Sequence, residues 1–219
     1  MNFPFLIFQL VVLVFSVMIH EISHGFVAEK LGDSTARRAG RLTLNPIRHI
    51  DFFGSIILPL LLFISGSRFI IGWAKPVPYN PNALYKDFKY GPLKVALAGP
   101  ASNILVFIVL GLIARFGAGF LSPILVGLFA FIAFMNIYLA VFNLVPIPPL
   151  DGSKILTLFL PPRYATMLET FSFSGIIFVF IFIFLFSSVI YYIAIFLFAL
   201  VTGPEVPLIM TNILSAISS

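Results

Sequence analysis

The chain has 219 residues, of which 60% are hydrophobic and only 10% are charged. A soluble domain needs a larger share of polar residues, so this composition excludes a soluble globular protein and indicates that lipid surrounds most side chains. The net charge of +5 comes from basic residues scattered between apolar runs, which favours cytoplasmic loops over a nucleic-acid-binding surface. The absence of cysteine excludes disulfides, a thiol nucleophile and cysteine-bound zinc.

The expected architecture follows from five long apolar runs, over 3–29, 52–73, 93–117, 121–147 and 171–203. One crossing needs about 20 residues, so the first, third and fourth runs fit one helix each. The last run fits one tilted helix or two short ones, with Ser187-Ser188 as the expected break. A short helix is predicted over 152–160.

These elements predict an all-α polytopic membrane protein with about five or six membrane-embedded helices. We expect one intramembrane domain over 1–219, with a catalytic core over about 3–160 and a C-terminal helical region over about 164–219. The first run lacks a basic leader and a small-residue cleavage site, so we expect it to be retained as a helix.

The basic residues predict the topology. A group of them follows the first helix and marks that side as cytoplasmic. The run 52–73 is interrupted by Ser65-Gly66-Ser67-Arg68, so it either crosses once or enters and returns as a re-entrant hairpin. We favour the hairpin, because it leaves only Arg68 and Arg115 of the 13 basic residues outside. The residues that follow the first helix are Lys30, Arg37, Arg38, Arg41 and Arg48.

Two connecting segments carry weaker signals. Polar and apolar residues alternate over 36–50 around Leu42 and Leu44, between Gly40 and Pro46, which is a weak signal for a strand or hairpin. The proline spacing in 73–81 is incompatible with a helix, so this stretch is expected to be extended.

The motif His20-Glu21-Ile22-Ser23-His24 lies inside an otherwise apolar helix. A spacing of four residues places both imidazoles on one helix face, where they can chelate one metal ion. Glu21 is close enough to reach a metal-bound water without being a ligand. The pattern also arises by chance, but ionisable residues within a transmembrane segment are costly and usually mark function.

A catalytic zinc site needs a third protein ligand besides His20 and His24. Asp151 is the strongest candidate, because Pro146, Pro148 and Pro149 place it on non-helical backbone near the inner third of the membrane. The alternative is a structural role, with Asp151 as the N-cap of the helix 152–160. His49 and Asp51 are weaker candidates for the third ligand, because they lie nearer the basic loop.

Two asparagines within apolar helices also require polar partners. Asn143 could stabilise the oxyanion of a tetrahedral intermediate, or it could make a hydrogen bond between helices. Asn103 follows the small residues of Ala98-Gly99-Pro100-Ala101-Ser102, so a structural role in helix packing is favoured for it, with support of the site as a secondary role.

Together, these motifs resemble the site-2 protease family of intramembrane zinc metalloproteases. The matching elements are His20-Glu21-x-x-His24, Gly99-x-x-x-Asn103, and Asn143-x-x-Pro146 leading to Asp151-Gly152. The resemblance implies His20, His24 and Asp151 as ligands of one Zn²⁺ ion per chain and Glu21 as general base and acid. It implies Asn143 as an oxyanion-stabilising or substrate-orienting residue, and a membrane-associated β-hairpin over 36–50.

The resemblance also implies a compact prokaryotic-type member without a PDZ or nucleotide-sensing domain. We expect hydrolysis of peptide bonds in or near transmembrane segments, in regulated intramembrane proteolysis, with the active site nearer the cytoplasmic face of the plasma membrane. The expected partners are a transmembrane substrate and the lipid bilayer, without nucleic acid. A metal-ion transporter that uses the same His and Asp residues is the alternative from another class, and an inactive membrane scaffold is a third.

Overall fold

A computed structural model of the chain describes residues 3–65, 74–157, 159–161, 163 and 175–218. Eight α-helices are formed within this part of the chain. They are α1 (Phe3–Lys30), α2 (Thr35–Arg38), α3 (Leu58–Ile64), α4 (Gly91–Gly117), α5 (Pro123–Asn143), α6 (Ser153–Thr157), α7 (Gly175–Thr202) and α8 (Glu205–Ser218). Short 3-10 turns occur at Pro46–Arg48 and Pro81–Ala83, and the π-helical stretch Phe52–Ile57 leads directly into α3.

Four helices are long and apolar enough to cross a membrane, namely α1, α4, α5 and the part of α7 from Leu185 to Thr202. The described residues contain no strand. The prediction of an all-α polytopic membrane protein is therefore confirmed for the helical content and for the presence of several helices that can span a membrane. The three single-helix predictions over 3–29, 93–117 and 121–147 are matched closely by α1, α4 and α5.

The chain forms two compact units. The N-terminal unit is Gln9–Gly99, and the C-terminal unit consists of Met1–Phe8 together with Pro100–Ser219. In the N-terminal unit, Gly25 allows α1 to approach the loops closely. A Cβ atom at Gly25 would lie 2.8 Å from side-chain atoms of both Leu42 and Val77.

The region predicted as a re-entrant hairpin is described in part. Its first limb is helical from Phe52 to Ile64, which is too short to cross a bilayer that needs about 20 residues. The proposed turn and return fall largely on 66–73, outside the described residues. The backbone N–H of Lys75 donates to the carbonyl of His49 over 2.8 Å. The two ends of the intervening segment are therefore adjacent.

The β-hairpin expected over 36–50 is not present in this segment, and that expectation is corrected. The backbone groups bond locally instead. The N–H of Arg41 donates to the carbonyl of Ala36 over 3.0 Å, and the N–H of His49 donates to that of Pro46 over 2.9 Å. The Asn45 side chain caps the 3-10 turn by accepting from the N–H of Ile47. Turn-forming residues that bond to nearby backbone compete with a strand ladder.

In the C-terminal unit, α5 packs against α7 and α8. The ring of Phe134 on α5 lies 5.6 Å from that of Phe198 and 5.9 Å from that of Tyr191, both on α7. Gly127 allows α5 to approach α8 closely, since a Cβ atom at this position would lie 2.9 Å from the Cβ of Ile213. This unit is therefore built by helices in close apolar contact.

The helix α7 runs without interruption through Ser187 and Ser188, where a break was the expected alternative. Serine retains its backbone N–H, unlike proline, so two serines do not remove the i to i−4 hydrogen bonds of a helix. The helix ends instead at Gly203, which has φ +80° and whose N–H donates to the carbonyl of Ala199. A glycine in this conformation is a common helix terminator.

Candidate metal centre

The helix α1 brings His20, Glu21 and His24 together. Potential ligand atoms of the three side chains lie within 4.8 Å of one another. Both histidines are buried, with 6% and 8% of their surface exposed, and Glu21 is half-buried. The grouping follows from the helical spacing of the motif, which places positions 20 and 24 on one face.

A backbone carbonyl fixes the orientation of the second histidine. The Nδ1 atom of His24 lies 2.7 Å from the carbonyl oxygen of Val95 on α4, which makes Nδ1–H the donor in this pair. Histidines that bind metals usually donate the other ring N–H to a carbonyl or carboxylate, and this contact sets the tautomer. Nε2 of His24 is therefore the nitrogen suited to bind a metal.

Gly99 creates the space in front of the two imidazoles. A Cβ atom at this position would lie 2.5 Å from the Nε2 atoms of both His20 and His24. Any side chain there would collide with the two nitrogens that face the space. The glycine thus leaves room where both Nε2 atoms converge.

These observations test whether the residues fit a zinc ion. Imidazole nitrogens are preferred zinc ligands, and a catalytic site combines them with a carboxylate and an open position. Two converging Nε2 atoms and a carbonyl that sets the tautomer provide the imidazole part of such a site, and Glu21 places a carboxylate beside it for a metal-bound water. The cluster fits zinc.

The loop before α4 holds the carboxylate of Glu21. Its Oε2 atom accepts a hydrogen bond of 2.8 Å from the backbone N–H of Val77. No feature of the sequence predicted this contact, because it joins residues 56 positions apart whose proximity depends on the tertiary fold. Val95 was missed for the same reason, and Gly99 was interpreted only as a packing residue.

The two weaker candidates for a third ligand have structural contacts. His49 is buried, with 1% exposed, and its Nε2 lies 2.9 Å from the carbonyl oxygen of Thr43. The carboxylate of Asp51 accepts from the N–H of Gly54 over 2.7 Å and so caps the π-helical stretch. Both side chains therefore stabilise the loop that leads into α3.

Asp151 and Asn143 belong to the C-terminal unit and are not members of the cluster formed by His20, Glu21 and His24. Both are half-buried. The N–H of Gly152 donates to the carbonyl of Asn143 over 2.7 Å, and a Cβ at Gly152 would lie 2.2 Å from the Leu144 carbonyl oxygen. The chain therefore folds tightly back on the end of α5. The backbone over 144–152 is non-helical, as the prolines between these residues predicted.

The polar partner of Asn103 is Asn136 on α5. Nδ2 of Asn103 donates to Oδ1 of Asn136 over 2.8 Å, and both side chains are fully buried. This contact bears out the structural role favoured for Asn103. Asn136 was not singled out from the sequence, although an asparagine within an apolar helix is itself a signal for such a bond. Asn143 makes a bond within its own helix, to the Leu139 carbonyl at 3.0 Å.

A buried H-E-x-x-H cluster on a helix that can span a membrane defines a membrane-embedded metallopeptidase. Comparison with known proteins agrees. The sequence profile described as "Peptidase family M50" matches residues 121–188. "Putative zinc metalloprotease YwhC" of Bacillus subtilis (strain 168) is 38% identical over 184 residues, which cover 80% of this chain and 78% of YwhC.

Two further relatives carry the same description as YwhC. MJ0611 of Methanocaldococcus jannaschii is 33% identical over 164 residues, which cover 71% of this chain and 73% of MJ0611. Rip2 of Mycolicibacterium smegmatis is 33% identical over 157 residues, which cover 68% of this chain and 55% of Rip2. No solved structure matches the chain.

The chain belongs to peptidase family M50, the site-2 protease family, and is a zinc metalloprotease. This membership confirms the resemblance inferred from the motifs, the enzyme class and the Zn²⁺ cofactor. It favours the protease over the metal-ion transporter and the inactive scaffold.

Proposed function

We propose that this protein is an intramembrane protease that hydrolyses peptide bonds in or near transmembrane segments of membrane proteins, in regulated intramembrane proteolysis. The observation that carries this proposal is the burial of His20 and His24 within α1, a helix long and apolar enough to span the bilayer. A substrate must enter the membrane region to reach such a site, so transmembrane segments are the matching substrate class.

We propose His20, His24 and Asp151 as the ligands of one zinc ion. The two histidines are supported by their converging Nε2 atoms, and Asp151 by its place in the motif that runs from Asn143 to Gly152. A carboxylate together with two imidazoles is a common ligand set of catalytic zinc. When bound, zinc supplies Lewis-acid activation of water and of the scissile carbonyl.

The remaining chemistry falls to Glu21 and Asn143. Glu21 accepts a proton from the attacking water and then donates it to the leaving amine, as a carboxylate adjacent to a metal site can do. Asn143 stabilises the negative charge that develops on the carbonyl oxygen or orients the substrate. One N–H of its amide donates to the Leu139 carbonyl within its own helix, and the second N–H of the same amide can donate to the substrate.

The substrate must be extended before cleavage, because a helix engages its carbonyl groups in internal hydrogen bonds. The non-helical segment 74–80 lies beside Glu21 and offers backbone groups for edge pairing with an extended substrate. Such pairing would offset part of the hydrogen bonding lost when the substrate helix unwinds.

We propose a location in the prokaryotic plasma membrane, with the active site nearer the cytoplasmic face. The basic residues after α1 support a cytoplasmic position for that end. The bond between Lys75 and His49 supports a re-entrant course for 52–73, since it returns the chain to the side that it left. The single domain over 1–219 stays a prediction.

The test is Glu21→Gln in the purified full chain, with zinc content measured beside cleavage of a reporter substrate. The reporter is a single-span peptide with a fluorophore and a quencher, reconstituted in liposomes. We expect the variant to retain one zinc ion and lose cleavage, because glutamine cannot carry the proton. Glu29→Gln is the matched control, since Glu29 lies on the same helix and pairs with Arg37. A zinc-loaded Glu21→Gln protein that cleaves normally would reject the assignment.

A further inference from the structure

A short irregular segment over 74–80, which we call the strap, is tied to the N-terminal unit at both ends. Near its start, Lys75 donates its N–H to the His49 carbonyl over 2.8 Å. At its end, the N–H of Asn80 donates to Oδ2 of Asp33 over 2.6 Å. The strap therefore has fixed anchor points although it forms no regular structure.

Buried charged side chains provide much of this anchoring. Nη2 of Arg41 donates to the carbonyl oxygens of Lys75 and Pro76, at 2.5 and 3.3 Å. Arg41 is 7% exposed and Asp33 is fully buried. Burial of a charged group is costly unless hydrogen bonds compensate for lost hydration. Asp33 also accepts from Thr35, but contacts from two buried charged groups to one irregular segment indicate that the position of this segment matters.

The middle of the strap contacts the proposed general base. Val77 lies between Pro76 and Pro78, which have no N–H, so its backbone supplies the donor at this point of the strap. That N–H lies 2.8 Å from Oε2 of Glu21. The Val77 side chain is buried, and its Cγ1 lies 2.8 Å from the position of a Cβ at Gly25, one turn after Glu21. Tight packing against α1 thus fixes the donor.

We infer that the strap is a positioning element for Glu21, in which the Val77 N–H holds one carboxylate oxygen so that the other is directed to the reacting water. Arg41 and Asp33 act indirectly, by holding the strap at its two ends. This inference rests on the proposed role of Glu21 as general base. A proton acceptor must lie within hydrogen-bond reach of its proton, and a displacement of about 1 Å can reduce the rate about 100-fold.

The test replaces Val77 by proline, which removes the N–H and places the ring Cδ where the hydrogen bond to Glu21 runs, so the carboxylate loses its donor and is displaced. Because Val77 precedes a proline, its backbone is already restricted to the β and polyproline II regions, and a proline fits the polyproline II part of this range. Val77→Ala is the matched control, since it keeps the N–H and loses side-chain contacts. Both are measured for zinc content, thermal unfolding, kcat and KM on the reporter substrate.

We expect zinc-loaded Val77→Pro to show kcat lowered about 10- to 100-fold with KM within about twofold, and Val77→Ala to keep kcat within about threefold. Unchanged kcat in Val77→Pro, or an equal loss in both variants, would overturn the inference. A rise in kcat in Val77→Pro would also overturn it, because the strap would then be an inhibitory segment.

If Val77→Pro fails to fold or to bind zinc, Arg41→Gln and Arg41→Lys decide the matter. We expect Arg41→Gln, which keeps only a neutral amide donor, to lower kcat with zinc retained, and Arg41→Lys, which keeps a positively charged donor, to recover part of the loss. Equal kcat in both variants and the wild type would reject the inference. Glu21→Gln separates this result from the proposed function, because activity in that variant rejects Glu21 as the base whatever the strap does.

Discussion

The two units of this protein differ in how they use polar side chains. In the N-terminal unit, buried polar groups are numerous and contact backbone atoms, which belong to a loop for Arg41 and Asp33 and to α4 for His24. In the C-terminal unit, α5, α7 and α8 pack mainly through aromatic rings and small residues, and Asn103 and Asn136 form a buried amide pair. The first arrangement fixes positions of chemical groups, and the second holds helices together.

The difference indicates where sensitivity to mutation should lie. Buried polar groups are costly within a membrane and are usually retained for function. Changes beside the histidines of the N-terminal unit should therefore affect zinc binding or catalysis. Changes at its other buried charged groups should affect the free energy of unfolding as well, and changes in the C-terminal unit should affect the free energy of unfolding alone.

The largest effect is expected for Gly99→Ala. The added Cβ would lie 2.5 Å from both Nε2 atoms, and the Val95 carbonyl prevents His24 from turning away easily. We expect zinc affinity to fall on the order of 100-fold and cleavage to fall with it. Metal titration of the purified variant measures the change. Gly119→Ala is the control, because a Cβ at Gly119 meets nothing within 4 Å. Equal zinc affinity in both variants would contradict the account.

The next effect is expected for Asp33→Asn. Burial alone would raise the pKa of Asp33, but hydrogen bonds from Thr35 and Asn80 and the charge of Arg38 outweigh it and hold the pKa below its ordinary value of 3.8. We expect a loss of about 1.5–3 kcal/mol in the free energy of unfolding at pH 7, typical of a hydrogen bond to a charged group.

The control for this prediction is the pH dependence of the stability difference between the wild type and Asp33→Asn. A depressed pKa stabilises the fold above the ordinary value, and this stabilisation is lost as the pH falls through the lowered pKa. The difference in unfolding free energy between wild type and variant should therefore be constant above about pH 5 and shrink below about pH 4. Denaturant unfolding across this range measures it, and a difference that grows on acidification would refute the explanation.

A smaller effect, on unfolding alone, is expected for Gly127→Ala. Its Cβ would lie 2.9 to 3.1 Å from three atoms of Ile213, so the contact between α5 and α8 must open. Overpacking of this kind costs about 1–3 kcal/mol. We expect thermal unfolding at a lower temperature with unchanged zinc content per folded chain, and recovery in the double variant with Ile213→Ala. Absence of recovery would show that the contact is not the cause.

The smallest effect is expected for the amide pair. Asn103→Leu leaves Asn136 without its donor and should cost about 1 kcal/mol, since hydrogen bonds between membrane helices are modest. The double variant Asn103→Leu with Asn136→Leu should be closer to wild type, because it removes both polar groups. Comparison of unfolding temperatures tests this order, and a double variant less stable than the single one would disprove it.

Much of the helical architecture could be predicted from the sequence, because long apolar runs leave a membrane chain few alternatives to helices. The four-residue spacing of His20 and His24 was sufficient to place their imidazoles on one face. The β-hairpin predicted over 36–50 is not formed, because the alternation around Leu42 is short and Asn45 and Pro46 form a local turn instead.

The contacts that arrange the site could not be predicted from the sequence. The bonds from His24 to Val95 and from Val77 to Glu21 join residues 71 and 56 positions apart through backbone atoms. Backbone groups are the same in every residue, so neither Val95 nor Val77 carries a chemical signal. Gly99 was visible as a small residue, but its purpose is evident only from the position of the two Nε2 atoms.

The central claim is that one zinc ion is held by the paired imidazoles together with the Asp151 carboxylate. Zinc per folded chain, measured in purified wild type, Asp151→Ala and Glu21→Gln, tests it most directly. The account predicts one ion in the wild type and in Glu21→Gln, and little or none in Asp151→Ala with helical content preserved. Full zinc occupancy and undiminished affinity in Asp151→Ala would contradict it.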